Sequence, residues 1–173
     1  MHLPKTFMLM VHVTSAAFSA LTIPAYAYIS DRIGRKPVFL FGALMSAILI
    51  WPYLWAIGQS NETLVFVFCT LLMGVAYSAT NGVWPALYGE MFSTNVRLSG
   101  VAIGTQFGFA LAAQAPTLAA YFALESPVNW TPVAWLVSIS CTISAGAVLS
   151  AKETSQSNLN DLGRMPSLQK PNK

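Results

Sequence analysis

Charge is the scarcest ingredient of this 173-residue chain. Asp, Glu, Lys and Arg make up 9% of it, against roughly 25% in an ordinary soluble domain, while apolar residues make up 55%. That shortage excludes a soluble globular domain. Cysteine is nearly as rare: Cys69 and Cys141 both fall inside apolar stretches and form no C-x-x-C pair, so no disulfide is inferred and both are read as packed thiols. No paired carboxylates, Ser/His pair or metal-ligating cluster lies in an apolar stretch, so neither an enzyme nor a cofactor or metal site is expected. The net charge of +3 is too small and too dispersed to argue for nucleic acid binding. No cleavable signal is recognisable either, because the apolar run after Lys5 is too long for one and offers no small-residue cleavage site before Asp31.

What the chain does have is long greasy runs. Residues 6–30 and 38–58 contain no Asp, Glu, Lys or Arg, and each is long enough to cross a hydrocarbon core about 30 Å thick at 1.5 Å per helical residue. Three more runs follow, at about 64–89, 98–124 and 130–151. The expected architecture is an all-α integral membrane protein with five spans over 1–151 and a disordered tail over 152–173. Between the first two spans sits a polar island, Asp31-Arg32-Ile33-Gly34-Arg35-Lys36-Pro37, in which Gly34 permits a tight reversal and the basic residues can pair across the hairpin. Eight of the nine Lys+Arg fall in this island, in the turn holding Arg97, or in the tail; basic loops stay cytoplasmic, so the N-terminus is expected outside and the C-terminus inside. Trp51, Tyr53 and Trp55 suit an outer aromatic belt, and the N-x-T triplets at Asn61 and Asn129 are read as chance.

Polar residues inside the spans are the functional candidates. His12 is a possible proton-linked group, the alternative being an interfacial or hydrogen-bonded histidine. Tyr77, Asn81, Trp84 and Tyr88, spaced 4, 3 and 4, share one helical face and form either a binding wall or interhelical glue. Gln106 and Gln114 stand alone in an apolar span, open to substrate contact or interhelical bonding, while Gly100, Gly104 and Gly108 make a period-four ridge suited to tight helix crossing. Pro116 and Thr117 interrupt that span near its outer third. Ser138, Ser140, Thr142 and Ser144 can bond back to helix carbonyls.

The island is similar to the D-R-x-G-R-[RK] loop of the major facilitator superfamily, and the run Glu90-x-Phe92-x-Thr94-x-x-Arg97-x-Ser99-Gly100 resembles that family's second inner loop. The closest branch is the metabolite:proton symporters, which include shikimate, proline/betaine and α-ketoglutarate carriers. The resemblance covers about 7–152 and implies the eighth to twelfth helices of a twelve-helix fold. It also implies a cytoplasmic gate of Asp31, Arg32, Gly34, Arg35, Lys36, Glu90 and Arg97. Substrate contacts would come from Tyr77, Asn81, Trp84, Gln106 and Gln114, with the second and fifth spans facing lipid.

The expected function is proton-coupled symport of a small organic acid or zwitterion in a bacterial inner membrane. The first transporter half and the seventh helix are absent from the resemblance, so inactivity is expected of this fragment alone. The partners are metabolite, protons, lipid and, if the protein is split, the missing N-terminal half. The rival is a small membrane scaffold or accessory subunit without transport activity.

Overall fold

The computed structural model describes residues 3–92, 96–125 and 130–150. The tail beyond 150 and Asn129, the first residue of the second triplet, lie outside them. Helix α1 covers Lys5–Ile33, α2 Arg35–Gly58, α3 Glu62–Leu71, α4 Ser78–Glu90, α5 Arg97–Ala112, α6 Ala115–Glu125 and α7 Thr131–Ser150. A π-helical turn, Leu72–Tyr77, joins α3 to α4, so that Glu62–Glu90 runs on as one span. Among the described residues, four stretches are long and apolar enough to cross a membrane: α1, α2, Glu62–Glu90 and α7.

Both short connections follow from local chemistry. Gly34 adopts φ 102°, a backbone region that costs a side-chain-bearing residue energy, and its N–H closes α1 onto the Ser30 carbonyl at 3.0 Å. At the other end of α2, Asn61 caps α3 by accepting from the Leu64 N–H at 3.2 Å, which fixes the turn that holds the first N-x-T triplet.

The expected fourth span is two helices. Pro116 has no N–H to give the Ala112 carbonyl, and the chain tightens there: Gln114 bonds Leu111 at 3.1 Å, three residues back, before Leu118 restarts the four-residue pattern on Gln114 at 3.0 Å. The halves, of 16 and 11 residues, are each too short to cross alone.

The second span is lipid-facing on one side only: Phe41, Leu44, Ile48 and Trp55 form an exposed apolar face, while the opposite side packs on neighbouring helices. Helix α2 packs against α3, the π turn, α4 and, most broadly, α7. Val38, Phe39 and Ala43 of α2 bury with Ala79, Val83 and Leu87 of α4 and with Ala145 and Val148 of α7. Toward the α2–α3 end, Ser138 of α7 donates to the Ala47 carbonyl at 2.9 Å and accepts from the Trp51 indole at 3.0 Å, so this serine bridges two helices instead of bonding back. Ser140, Thr142 and Ser144 do bond back to carbonyls of their own helix. Trp51 stands edge-on to Trp130 and Trp135, at 6.0 and 5.2 Å between ring centres.

Tight crossings occur elsewhere than at the predicted ridge. A Cβ on Gly42 would lie 2.7 Å from the Ala76 carbonyl oxygen, and one on Gly82 2.7 Å from that of Ile23, so α2 and α1 both touch the third span backbone to backbone. Among the described residues, Gly104 and Gly108 have nothing within 4 Å of a Cβ, and the nearest neighbour of a Cβ on Gly100 is the Phe92 ring. No residue of α5 is buried.

Candidate functional site

Two features stand out, an ion-paired end and an open cavity beside it. At the first, Arg35 donates to Glu90 at 3.0 Å and lies 3.4 Å from Asp31. Glu90 is only 8% exposed whereas Asp31 is 65% exposed, so Glu90 is the stronger anchor: its pair is shielded, while the i,i+4 pair with Asp31 is screened by solvent. The pair ties the α1–α2 hairpin to the end of α4, bringing the two loop motifs to one end of the bundle. Lys36 reaches across to the Leu149 carbonyl at 3.4 Å, placing a cation at the C-terminal end of α7, where the helix dipole favours it. Arg32 points away from the pair: its guanidinium sits 4.6 Å from the centre of the Tyr28 ring and donates to the Tyr28 hydroxyl.

Arg97 does not join this network among the described residues. Its Nε and Nη2 are buried without a hydrogen-bond partner, and its side chain lies over Gly89, whose Cβ would be 3.8 Å from Arg97 Cδ. The N-terminal turn of α5 places Arg97 beside the end of α4 without reaching the carboxylate. Of the seven residues of the gate pattern, the structure therefore gathers Asp31, Arg35 and Glu90 into ion pairs, uses Gly34 for the turn, and sends Arg32, Lys36 and Arg97 elsewhere.

The cavity, about 510 Å³, opens between α2, the third span, α5 and α7. Tyr77, Asn81, Trp84 and Tyr88 line one side of it, the 4, 3, 4 stripe laid along the wall. The Trp84 indole donates to Asn81 Oδ1 at 2.9 Å and its ring stands 5.8 Å from that of Tyr88, so the stripe is braced internally. The π turn just before it is braced by hydroxyls: the Met73 carbonyl accepts from Ser19 of α1 at 3.0 Å and from Ser78 at 2.9 Å, and Ser15 contacts Thr70 at 3.3 Å. Such turns insert one residue into the helical register and recur at functional sites.

Gln106 and Gln114 are exposed and do not line the cavity. The α5 side of it is built from Gly104, Thr105, Gly108, Phe109 and Ala112, a face centred about 130° around the helix from Gln106. The two amides stand out in the sequence of this span, whereas Thr105 and Phe109, which the expected contacts did not include, line the cavity. The period of Gly104, Gly108 and Ala112 was the signal for that face, but it marks a cavity wall here and not a helix crossing. Phe39 and Ser144, also missed, carry no sequence signal, since each is an ordinary residue of its span. His12 is exposed on α1, outside the cavity.

The family model described as Major Facilitator Superfamily matches residues 1–169. Among curated proteins, the shikimate transporter of Escherichia coli (strain K12) is 28% identical over 155 residues, covering 89% of this chain and 35% of its own length. The proline/betaine transporter of the same strain is 28% identical over 131 residues, 76% of this chain and 26% of that protein. The glycine betaine/proline/ectoine/pipecolic acid transporter OusA of Dickeya dadantii (strain 3937) is 29% identical over 136 residues, 79% of this chain and 27% of its own. The chain thus spans between about a quarter and a third of the length of these relatives. No solved structure matches it.

Proposed function

From the premise that the chain belongs to the major facilitator superfamily, we propose that it supplies one wall of a membrane pathway for a small metabolite, an organic acid or a zwitterion, moved by proton-coupled secondary transport. The observation that carries this reading is the coincidence of the Tyr77–Asn81–Trp84–Tyr88 stripe with a cavity large enough for such a ligand, next to the shielded Arg35–Glu90 pair. The relatives, named as transporters of shikimate and of proline or betaine, support the substrate class. In this reading the ion-paired end faces the cytoplasm of a bacterial inner membrane, with the N-terminus outside and the C-terminus inside. The pair between Arg35 and Glu90 holds the hairpin against α4 when that end is closed, and its rupture accompanies opening.

The cavity has no Asp or Glu among its described lining residues. The acid that couples proton movement to substrate, and the opposite wall of the pathway, therefore come from a further transporter segment. Reconstitution tests this. Proteoliposomes holding only these 173 residues are expected to bind radiolabelled substrate without accumulating it under an imposed proton gradient, and to accumulate it once a complementary N-terminal half is co-reconstituted. Accumulation by the chain alone, abolished by a protonophore, would overturn the one-wall reading. Accumulation with the half present but undiminished in Glu90→Gln and Trp84→Leu variants would remove the gate and wall from the pathway.

A further inference from the structure

Arg32, Tyr28, Ala25, Leu21 and Phe18 follow 4, 3, 4, 3 spacing and so run down one side of α1, and all five are exposed. The side that packs, carrying Val11, Ser15, Ser19 and Ser30, lies opposite. No residue of α1 lines the described cavity, so completing the pathway does not require covering this exposed side. About 16 Å of helix separates Arg32 from Leu21, close to one leaflet of a hydrocarbon core about 30 Å thick. We propose that this side of α1 holds one anionic diacyl phospholipid of the phosphatidylglycerol class, with its phosphate on Arg32 and Tyr28 and an acyl chain beside Ala25 and Leu21. The assignment goes beyond the transport reading and needs only the membrane-spanning fold.

The cations at this end of the bundle differ in what they face. Arg35 is spent on Glu90 at 3.0 Å, Lys36 reaches the Leu149 carbonyl at 3.4 Å, and Arg97 has Nε and Nη2 buried. Arg32 instead lies over the Tyr28 ring and donates to its hydroxyl, which leaves the rest of its donor fork outward. The Tyr28 hydroxyl, accepting from Arg32, keeps its own proton to give. A guanidinium fork and a neighbouring O–H together match the oxygens of one phosphate. The adjacent carboxylate, Asp31, turns to Arg35 at 3.4 Å and does not answer Arg32. An anionic headgroup is drawn to such a cation at the membrane surface, whereas a zwitterionic one brings an ammonium of its own toward it. Below Tyr28 the lane holds only Ala25, Leu21 and Phe18, with no polar group that a neighbouring helix would be needed to satisfy. Ala25, the small residue among them, leaves room for an acyl chain.

Native mass spectrometry of the purified chain, released from detergent holding equimolar dioleoylphosphatidylglycerol and dioleoylphosphatidylcholine, tests the assignment. One phosphatidylglycerol per chain is expected to be retained, preferred over phosphatidylcholine by about fivefold. Arg32→Gln should abolish that preference, and Tyr28→Phe should lower it by about threefold. Lys36→Gln removes the same charge from the same turn and should lower it by less than about twofold, which separates a site from general basicity. Circular dichroism checks that each variant is folded. Equal losses in Arg32→Gln and Lys36→Gln, or no preference in the unsubstituted chain, would overturn the assignment. So would displacement of the lipid by an equal concentration of soluble glycerophosphate, which would mark a free-phosphate site, or a dimeric chain that retains no lipid, which would give this side of α1 to a second copy. Uptake with the complementary half present tests the transport reading separately and is independent of these results.

Discussion

The core assembled from α1, α2, the third span and α7 and the outlying pair α5–α6 are made of similar residues and behave differently. In the core, three glycines are consumed by contact: Gly42 and Gly82 each let a neighbouring backbone approach to where a Cβ would sit 2.7 Å from a carbonyl oxygen, and Gly74 seats the Phe18 ring, while Gly146 of α7 meets nothing within 4 Å among the described residues. In α5, Gly104 and Gly108 face open space, and Leu98 and Leu111 are 87% and 77% exposed. Small residues in a membrane helix mark where a neighbour can come close, not where one has. Between the two regions lies the cavity, walled on one side by the Tyr77–Tyr88 stripe of the third span and on the other by α5, none of whose residues is buried.

Glycine substitution breaks or sharpens this contrast most strongly. Gly82→Leu is expected to destabilise the purified chain by about 3 kcal/mol or more, because the backbone of α1 cannot give way, and Gly42→Leu by a similar amount. Gly104→Ala is expected to be neutral or to stabilise by up to about 1 kcal/mol, since α5 gains helix propensity and meets no neighbour. Thermal unfolding followed by circular dichroism reads both; equal losses at Gly82 and Gly104 would erase the distinction. Next in size is the ion pair. Glu90→Gln strands a partly buried guanidinium and should cost about 2 kcal/mol, whereas Asp31→Asn, at an exposed partner of the same arginine, should cost at most about 0.5 kcal/mol. A reversal of that order would make Asp31 the anchor.

Smaller effects separate bonds between helices from bonds within one. Ser19→Ala removes a hydroxyl that links α1 to the Met73 carbonyl, for a loss of about 0.6 kcal/mol. Ser140→Ala removes a bond that returns to its own helix, and should change stability by less than about 0.3 kcal/mol. If both serines proved equally dispensable, the hydroxyl bracing of the π turn would contribute nothing to the core.

Much of this architecture was legible in the residues. Long uncharged runs announce spans, Gly34 announces the turn that its positive φ requires, and the 4, 3, 4 spacing of Tyr77, Asn81, Trp84 and Tyr88 puts them on the face that lines the cavity. The rest was hidden for physical reasons. Whether α2 faces lipid or protein cannot be told from hydropathy, because lipid and a packed neighbour are equally apolar. The break at Gln114 is signalled by Pro116, but Pro24, Pro52 and Pro85 sit within unbroken helices, so proline alone does not say which span divides. The π turn depends on serines from two helices converging on the Met73 carbonyl, a tertiary arrangement with no local motif. Likewise Arg97 carries the expected sequence spacing from Glu90, yet at the start of α5 its Nε and Nη2 find no hydrogen-bond partner among the described residues.

Everything assigned to the gate and the pathway depends on the ion-paired turn lying on the cytoplasmic side of a membrane. In a background of Cys69→Ser and Cys141→Ser, single cysteines at Ile33, which is exposed beside the turn, and at Ser60 in the opposite turn can be labelled with a membrane-impermeant maleimide. The account predicts that Ser60→Cys reacts in right-side-out vesicles and Ile33→Cys only in inside-out ones; the opposite pattern, or labelling of both from one side, would contradict it.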